Sequence, residues 1–397
     1  MDVIGFDSLP NAIRDVGAIL CFRSLPIVGY ALLTKQIVVA RKIGIGLAYT
    51  IAAVALRVWS LPAIVWLGVA YCYFAAAACG VPIAARLLRA NHVTRGGAFS
   101  ASASAFLALP CLLVPGPARA TALILGWDIM LSSYSYCVEV ARSDDDPPLR
   151  ECLFFLLVNP ALVYPRRGVR VGGPTLDVRG VTRGVQGLLT LLATLAFLAP
   201  LCAAVEDQTL GIALMRGPVA ATVAFGVSRF LLEYGRQSGL ASLQIGMMRQ
   251  LGHEIPERYR WPIAARNPLD FWQRWNTYVS GWLLRYVFWP VTFRYRGNGR
   301  SWRLVAAQAG GILATFVSIG LLHDMYMYAV GFDATARSLR AFSAVGLVVV
   351  CWLALTWGWR RWMARIPTRD SIAGAVAVVS RVSFWAIAVG CIAWGWQ

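Results

Sequence analysis

LVAAQAGGILATFVSIGLL, Leu304 to Leu322, is a run of nineteen residues without a charge, and His323 closes it. As a helix rising 1.5 Å per residue it would be about 29 Å long, the thickness of a bilayer's hydrocarbon core. Similar runs recur on both sides of it, at 16–33, 43–59, 61–80, 98–114, 118–138, 185–205, 212–232, 341–359 and 372–396. The expected fold is therefore all-α, a polytopic transmembrane helical bundle of about 9–11 spans. The connecting loops are short and rich in Arg, Gly and Pro, so residues 1–397 read as a single integral membrane domain.

Composition agrees. Hydrophobic residues make up 58% and charged residues only 14%, against about 25% charged in an ordinary soluble domain. The formal net charge is +18. On a multi-pass protein that charge belongs to loops facing anionic headgroups, and no basic stretch interleaved with aromatics points to nucleic acid. Positive residues occur in most loops, so charge asymmetry leaves the orientation open. The nine cysteines are scattered singly, mostly in apolar runs, with no Cys-x-x-Cys pair; they read as packing residues, and no metal site is expected. Asp2 and Asp7 precede the first apolar run, so a cleavable signal peptide is not expected and the first span should stay in the membrane.

Two segments do not read as simple spans. Leu149 to Tyr164 is too short to cross, is interrupted at Asn159-Pro160, and has polar flanks; it reads as a re-entrant or interfacial helix. Leu240 to Arg296 mixes charges, Trp and Pro with apolar residues. Irregular backbone at membrane depth survives only where protein buries it or it lines a cavity, so a cavity is expected in the C-terminal half.

Within that second segment lies Asp270-Phe271-Trp272-Gln273-Arg274-Trp275-Asn276. Asn267 and Pro268 suit the start of a helix. A helix continuing to Pro290 would put Trp272, Asn276 and Val279 on one face and Trp275 and Trp282 on a neighbouring one, with Asp270 and Arg274 spaced as an ion pair. An interfacial helix with Trp belt residues explains the aromatics well, but it leaves the amide of Asn276 wanting a partner. His323 has a similar double reading: a structural imidazole, or a base tuned near neutrality. Polar residues at bilayer depth are costly and usually mark function, which singles out Asn276 and His323. His92 and His253 lie in charged stretches and are expected to be solvated.

These stretches resemble the membrane-bound O-acyltransferase family. Phe271-Trp272-Gln273-Arg274-Trp275-Asn276, then Trp282-Leu283-Leu284-Arg285-Tyr286 and Pro290, looks like its signature, and Gly320-Leu321-Leu322-His323 looks like its downstream Gly-Leu-Trp-His element. Upstream, Ser135 to Arg142 and Phe154 to Arg167 are similar to two further family segments. The resemblance covers residues 126–331 as an acyltransferase core. It implies a helical fold with an internal tunnel, His323 as general base, Asn276 as its positioning partner, and Trp272, Arg274, Trp275 and Trp282 beside the substrates. Leu322 in place of Trp and Asp324 in place of a frequent Gly depart from the family pattern. Asn rather than His at 276 is less like the bacterial polysaccharide acetylators than like the lipid, sterol and peptide acylators.

The chemistry that the resemblance implies is coherent. A thioester such as acyl-CoA is an activated donor and serves as co-substrate, with no cofactor required. A lipid, polysaccharide or small-molecule hydroxyl is a poor nucleophile until a base takes its proton. An amide can stabilise the developing oxyanion. There is no Gly-x-Ser-x-Gly turn for a serine nucleophile. A transporter or flippase would need several intramembrane charges or two related halves; only Arg23, Glu139, Arg229 and Glu233 are candidates, and no half repeats the other. A non-catalytic scaffold of a membrane synthase complex is the third reading. The expected location is the cell's inner (plasma) membrane. The oligomeric state is not legible.

Overall fold

The computed structural model describes residues 61–109, 112, 114, 117–144, 146–165, 178–206, 218–250, 253–295, 301–329 and 336–363. The spans expected at 16–33, 43–59 and 372–396 lie outside them. The described chain is built of helices, and four of them are long and apolar enough to cross a membrane: Cys72–Arg89, Val178–Ala204, Trp302–Met325 and Arg337–Gly358. The protein is an all-α, multi-pass integral membrane protein. Its chain forms two compact units. One holds the described residues up to Ala199 together with Gly235–Glu257; the other holds Pro200–Tyr234 and the described residues from Arg258 onward.

The first unit begins with α1 (Leu61–Cys79) and α2 (Val81–Arg89), which meet at Gly80, with a Pro in the first turn of α2. The span expected at 61–80 therefore continues past its expected end. α3 (Arg95–Ala103) is started by Thr94, whose side chain accepts the Gly97 amide at 3.1 Å; a π turn, Ser104–Ala108, extends it. α4 (Pro117–Ala141) carries the first signature segment. Its C-terminal carbonyl at Val140 accepts from Arg89 at 2.9 Å, which satisfies an orphan acceptor and places positive charge at the negative end of the helix.

α5 (Leu149–Leu157) is nine residues long. At about 14 Å it is far short of a bilayer, and it buries Cys152, Phe154, Phe155 and Leu156. After it the Asn159 side chain accepts the Ala161 amide at 2.9 Å, an Asx turn that returns the chain. Tyr164 then locks the return. Its ring lies 5.0 Å from those of Tyr136 and Phe155, and its hydroxyl donates to Glu151 at 2.6 Å. The two upstream signature segments are thus packed on each other.

α6 (Val178–Ala193) runs through a π turn, Thr194–Leu198, into α7 (Ala199–Glu206). α8 (Pro218–Gln250) has 33 residues, about 50 Å, and overruns the span expected at 212–232. In the first unit α6 and the second half of α8 cross through glycines. A Cβ on Gly246 would sit 2.5 Å from the Gly184 nitrogen and 2.7 Å from the Gly180 oxygen. Backbones this close need small residues, the packing device of membrane helices.

His253 corrects an expectation. It is not solvated: only 2% of it is exposed, and its ring lies 4.0 Å from Phe154. The charged residues that follow it are solvated or paired, whereas the imidazole itself stacks on the aromatic face of α5. His92 is exposed, as expected.

In the second unit, α9 (Pro268–Arg274) starts at Asn267, whose side chain accepts the Asp270 amide at 2.8 Å. The expected continuous helix to Pro290 is not formed. Trp275 is extended (φ −82°, ψ 126°) and Asn276 is left-handed (φ 39°, ψ 63°). The helix restarts as α10 (Thr277–Leu283), passes a π turn, Leu284–Phe288, and continues as α11 (Trp289–Tyr295). The shared faces expected for Trp272 with Asn276, and for Trp275 with Trp282, therefore do not exist. The break is compensated by the segment before α9: the Arg260 amide donates to the Arg274 carbonyl at 2.9 Å, and the Thr277 amide to the Arg258 carbonyl at 2.8 Å. Asn tolerates the left-handed region better than most residues. The unit closes with α12 (Ser301–Ala329) and α13 (Arg337–Met363).

Candidate active site

His323 lies on α12, seven residues after Phe316 and one before Asp324. Its Nδ1 is 2.8 Å from the Ile319 carbonyl oxygen. A carbonyl can only accept, so Nδ1 carries a proton, and the neutral ring has its lone pair on Nε2. The residue is exposed on α12. One neighbour is the ring of Phe342 on α13, at 4.8 Å between centroids.

Asp324 is not the histidine's hydrogen-bond partner. Its two carboxylate oxygens each accept a backbone amide at 2.9 Å, from Ser338 and Leu339. Both amides belong to the first turn of α13. The residue preceding that helix, Ala336, has φ 50° and no side-chain oxygen to offer, so Asp324 caps α13 from another helix. A carboxylate is also the favoured charge at a helix N-terminus. Gly320 makes the approach possible: a Cβ there would lie 2.8 Å from Leu339 Cα and 3.1 Å from the Ser338 oxygen. One helical turn beyond this anchor, Phe342 reaches His323.

The signature run packs against the same two helices. Trp272 meets Phe316 edge to face at 4.9 Å and Phe342 at 6.4 Å. Phe342 is thus common to Trp272 and His323, and it links one residue of the signature run to the histidine. Trp275 sits in an aromatic cluster with Phe230, Phe271 and Tyr259, at 5.6, 5.6 and 5.2 Å. Trp282 is 4% exposed and lies 5.2 Å from Tyr286, so it belongs to the packed interior of the unit.

Arg274 and Asn276 are both held. Arg274 Nε donates to Asp270 at 2.6 Å, and Nη1 donates to the Arg260 carbonyl at 3.2 Å. The carboxyl of Asp270 is pushed upward by partial burial. The hydrogen bonds from Arg274 and the Arg266 amide outweigh that and leave its pKa below the ordinary 3.8. Asn276 Oδ1 accepts from Arg258 Nε at 3.1 Å, which turns its Nδ2 away from Arg258. Among the described residues no three His, Cys, Asp or Glu side chains gather as a metal site would require.

Three contributors have no clear signal in the sequence. Arg258 ends the charged stretch that begins at His253, and nothing in its local sequence points to Asn276. Phe342 was one apolar residue among many in a span. Asp324 was visible, but its task, a cap on a helix thirteen positions on, has no local sequence signal. The left-handed break had one cue, an Asn at its centre.

Comparisons with known proteins bear on the same stretch. A model of the membrane-bound O-acyltransferase family matches residues 181–393, more than half of the chain. It starts after, and ends beyond, the core expected at 126–331. The chain is 25% identical over 258 residues to a probable alginate O-acetylase of Pseudomonas fluorescens, covering 56% of this chain and 49% of that protein. The corresponding figures for a probable alginate O-acetylase of Azotobacter vinelandii are 26% over 279 residues, 61% and 53%. A shorter match, 27% over 93 residues and 22% of each chain, is to the teichoic acid D-alanyltransferase of Bacillus subtilis. The chain spans about half the length of the alginate O-acetylases it matches. These relatives are bacterial, which fits the inner membrane. On the family match and its helical membrane architecture, the chain belongs to the membrane-bound O-acyltransferase family.

Proposed function

We propose that the protein is a membrane acyltransferase that moves an acyl group from a thioester such as acyl-CoA to a hydroxyl of a second substrate. His323 Nε2 takes the hydroxyl proton as the oxygen attacks the thioester carbonyl. The Asn276 amide donates to the oxyanion that forms. Collapse of that intermediate breaks the carbon–sulfur bond, and the proton held by His323 passes to the leaving thiolate. Products are the ester and the free thiol. Proximity of two bound substrates and exclusion of water supply the rest of the acceleration.

One observation carries this reading: the bond from His323 Nδ1 to the Ile319 carbonyl, which leaves Nε2 as the basic nitrogen. The backbone group is a fixed orienter, the part that a general base needs beside it. The similarity to alginate O-acetylases favours, among the acceptors the sequence leaves open, a polysaccharide hydroxyl and an acetyl donor. Trp272 and Phe342 would flank the base, and Arg274, Trp275 and Trp282 are the further candidates for contact with the substrates.

The test is thiol release from acyl-CoAs of increasing length, with and without polysaccharide acceptor, for wild type and His323→Ala. Loss of a general base typically costs about 10²–10⁴-fold. Exposed His92→Ala is the control and should stay active; His253→Ala is no control, because that ring is buried. Near-wild-type turnover by a folded His323→Ala protein would remove the histidine from the chemistry.

A further inference from the structure

We propose that Arg258 is a positioning residue for acyl transfer, holding Asn276 so that its amide nitrogen rather than its oxygen is presented to the reacting carbonyl. The proposal rests on the role given to Asn276 above. Asn276 occupies the N-cap position of α10, where an Asn side chain normally accepts an amide of its own helix. Here it makes no such cap bond. Its Oδ1 accepts instead from Arg258 Nε, at 3.1 Å.

Arg258 grips the break twice more. Its carbonyl accepts the Thr277 amide at 2.8 Å, and its guanidinium carbon lies 5.7 Å from the centre of the Tyr278 ring. Main chain and side chain thus hold residues 276, 277 and 278 in sequence. The left-handed backbone of Asn276 (φ 39°, ψ 63°) directs the side chain to Arg258 and not along the helix axis. An N–H can only be received by the amide oxygen, so the bond fixes which end of the planar amide faces Arg258. The two Nδ2 hydrogens then point the other way.

The charge has a second consequence. A guanidinium stays protonated at any working pH. Drawing electron density to Oδ1 makes the amide hydrogens stronger donors, because linked hydrogen bonds polarise one another. An oxyanion gains more from that than a neutral carbonyl does, so the effect falls on the transition state and hence on kcat. Arg274, by contrast, is spent on Asp270 and the Arg260 carbonyl.

A double-mutant cycle tests this on the full chain in detergent, with the acyl-CoA and acceptor that the wild-type protein turns over. Arg258→Ala should lower kcat at least about tenfold, part of the about 10²–10³ that a whole oxyanion donor is worth. KM for the donor should stay within about twofold, since ground-state binding is untouched. Arg258→Lys keeps the charge near Tyr278 and the main-chain bond; it should melt as wild type does and still lose turnover. The decisive arm is Arg258→Ala with Asn276→Ala, which should be no slower than Asn276→Ala alone. Losses that multiply in the double variant, a defect in KM only, or full turnover by Arg258→Ala would overturn the positioning role while leaving Asn276 in the chemistry. Full turnover by Asn276→Ala would overturn both.

Discussion

Adding one methyl group at Gly320 should disable the protein, whereas the same change ten residues earlier on the same helix should not. The Gly320→Ala Cβ would lie 2.8 Å from Leu339 Cα and 3.1 Å from the Ser338 oxygen. Carbon atoms rest at about 3.5–4.0 Å, so the start of α13 must retreat by about 1 Å. The obstacle is backbone, which no rotamer change removes. Retreat also stretches the two 2.9 Å bonds from Ser338 and Leu339 to Asp324 to nearly 4 Å, beyond hydrogen-bond range. Overpacking costs about 1–3 kcal/mol, and loss of the cap adds about 1 kcal/mol. Phe342 moves with α13 and leaves His323, and a misplacement of about 1 Å at a reacting centre is worth about 10²-fold in rate. At Gly310 a Cβ meets nothing within 4 Å, and Ala in a helix interior is favoured over Gly by about 0.5–1 kcal/mol. The assay is thermal unfolding in detergent alongside turnover for both variants. Equal melting temperatures and equal turnover would refute the close approach of α12 and α13, and with it the reason given for Asp324.

Gly246→Ala should separate α6 from the second half of α8, since its Cβ would lie 2.5 Å from the Gly184 nitrogen; a loss of about 1–3 kcal/mol is expected by thermal or denaturant unfolding, and an unchanged midpoint would contradict the glycine crossing. Asp270 has a folded-state pKa below its unfolded value, so the stability it contributes is full above about pH 4, where the unfolded carboxyl is also ionised, and falls away as pH drops through the lower, folded pKa. Asp270→Asn should flatten that part of the acid unfolding profile, and a profile identical to wild type would show that the Arg274 pair contributes nothing.

The sequence by itself determined the membrane class and the helical fold. Apolar runs of bilayer length leave the backbone no other way to satisfy its polar groups, and Asn276, in an irregular segment between such runs, and His323, at the end of one, stand out against them. Local chemistry was legible too: Asn267 and Pro268 start α9, and Asp270 pairs with Arg274 four residues on. What the tertiary structure decided were the relations between segments distant in sequence. The helix that local spacing extends from Pro268 to Pro290 breaks at Asn276 because Arg258 and Arg260, sixteen or so residues earlier, offer its amides and carbonyls other partners. Asp324 faces not the neighbouring histidine but the amides of α13, since adjacent residues on a helix point about 100° apart. His253 is buried because Phe154, a hundred residues away, supplies the face on which it stacks. Periodicity reports which side of a helix is apolar; it carries no information about which distant side chain completes a hydrogen bond, and that choice is made only when the helices pack.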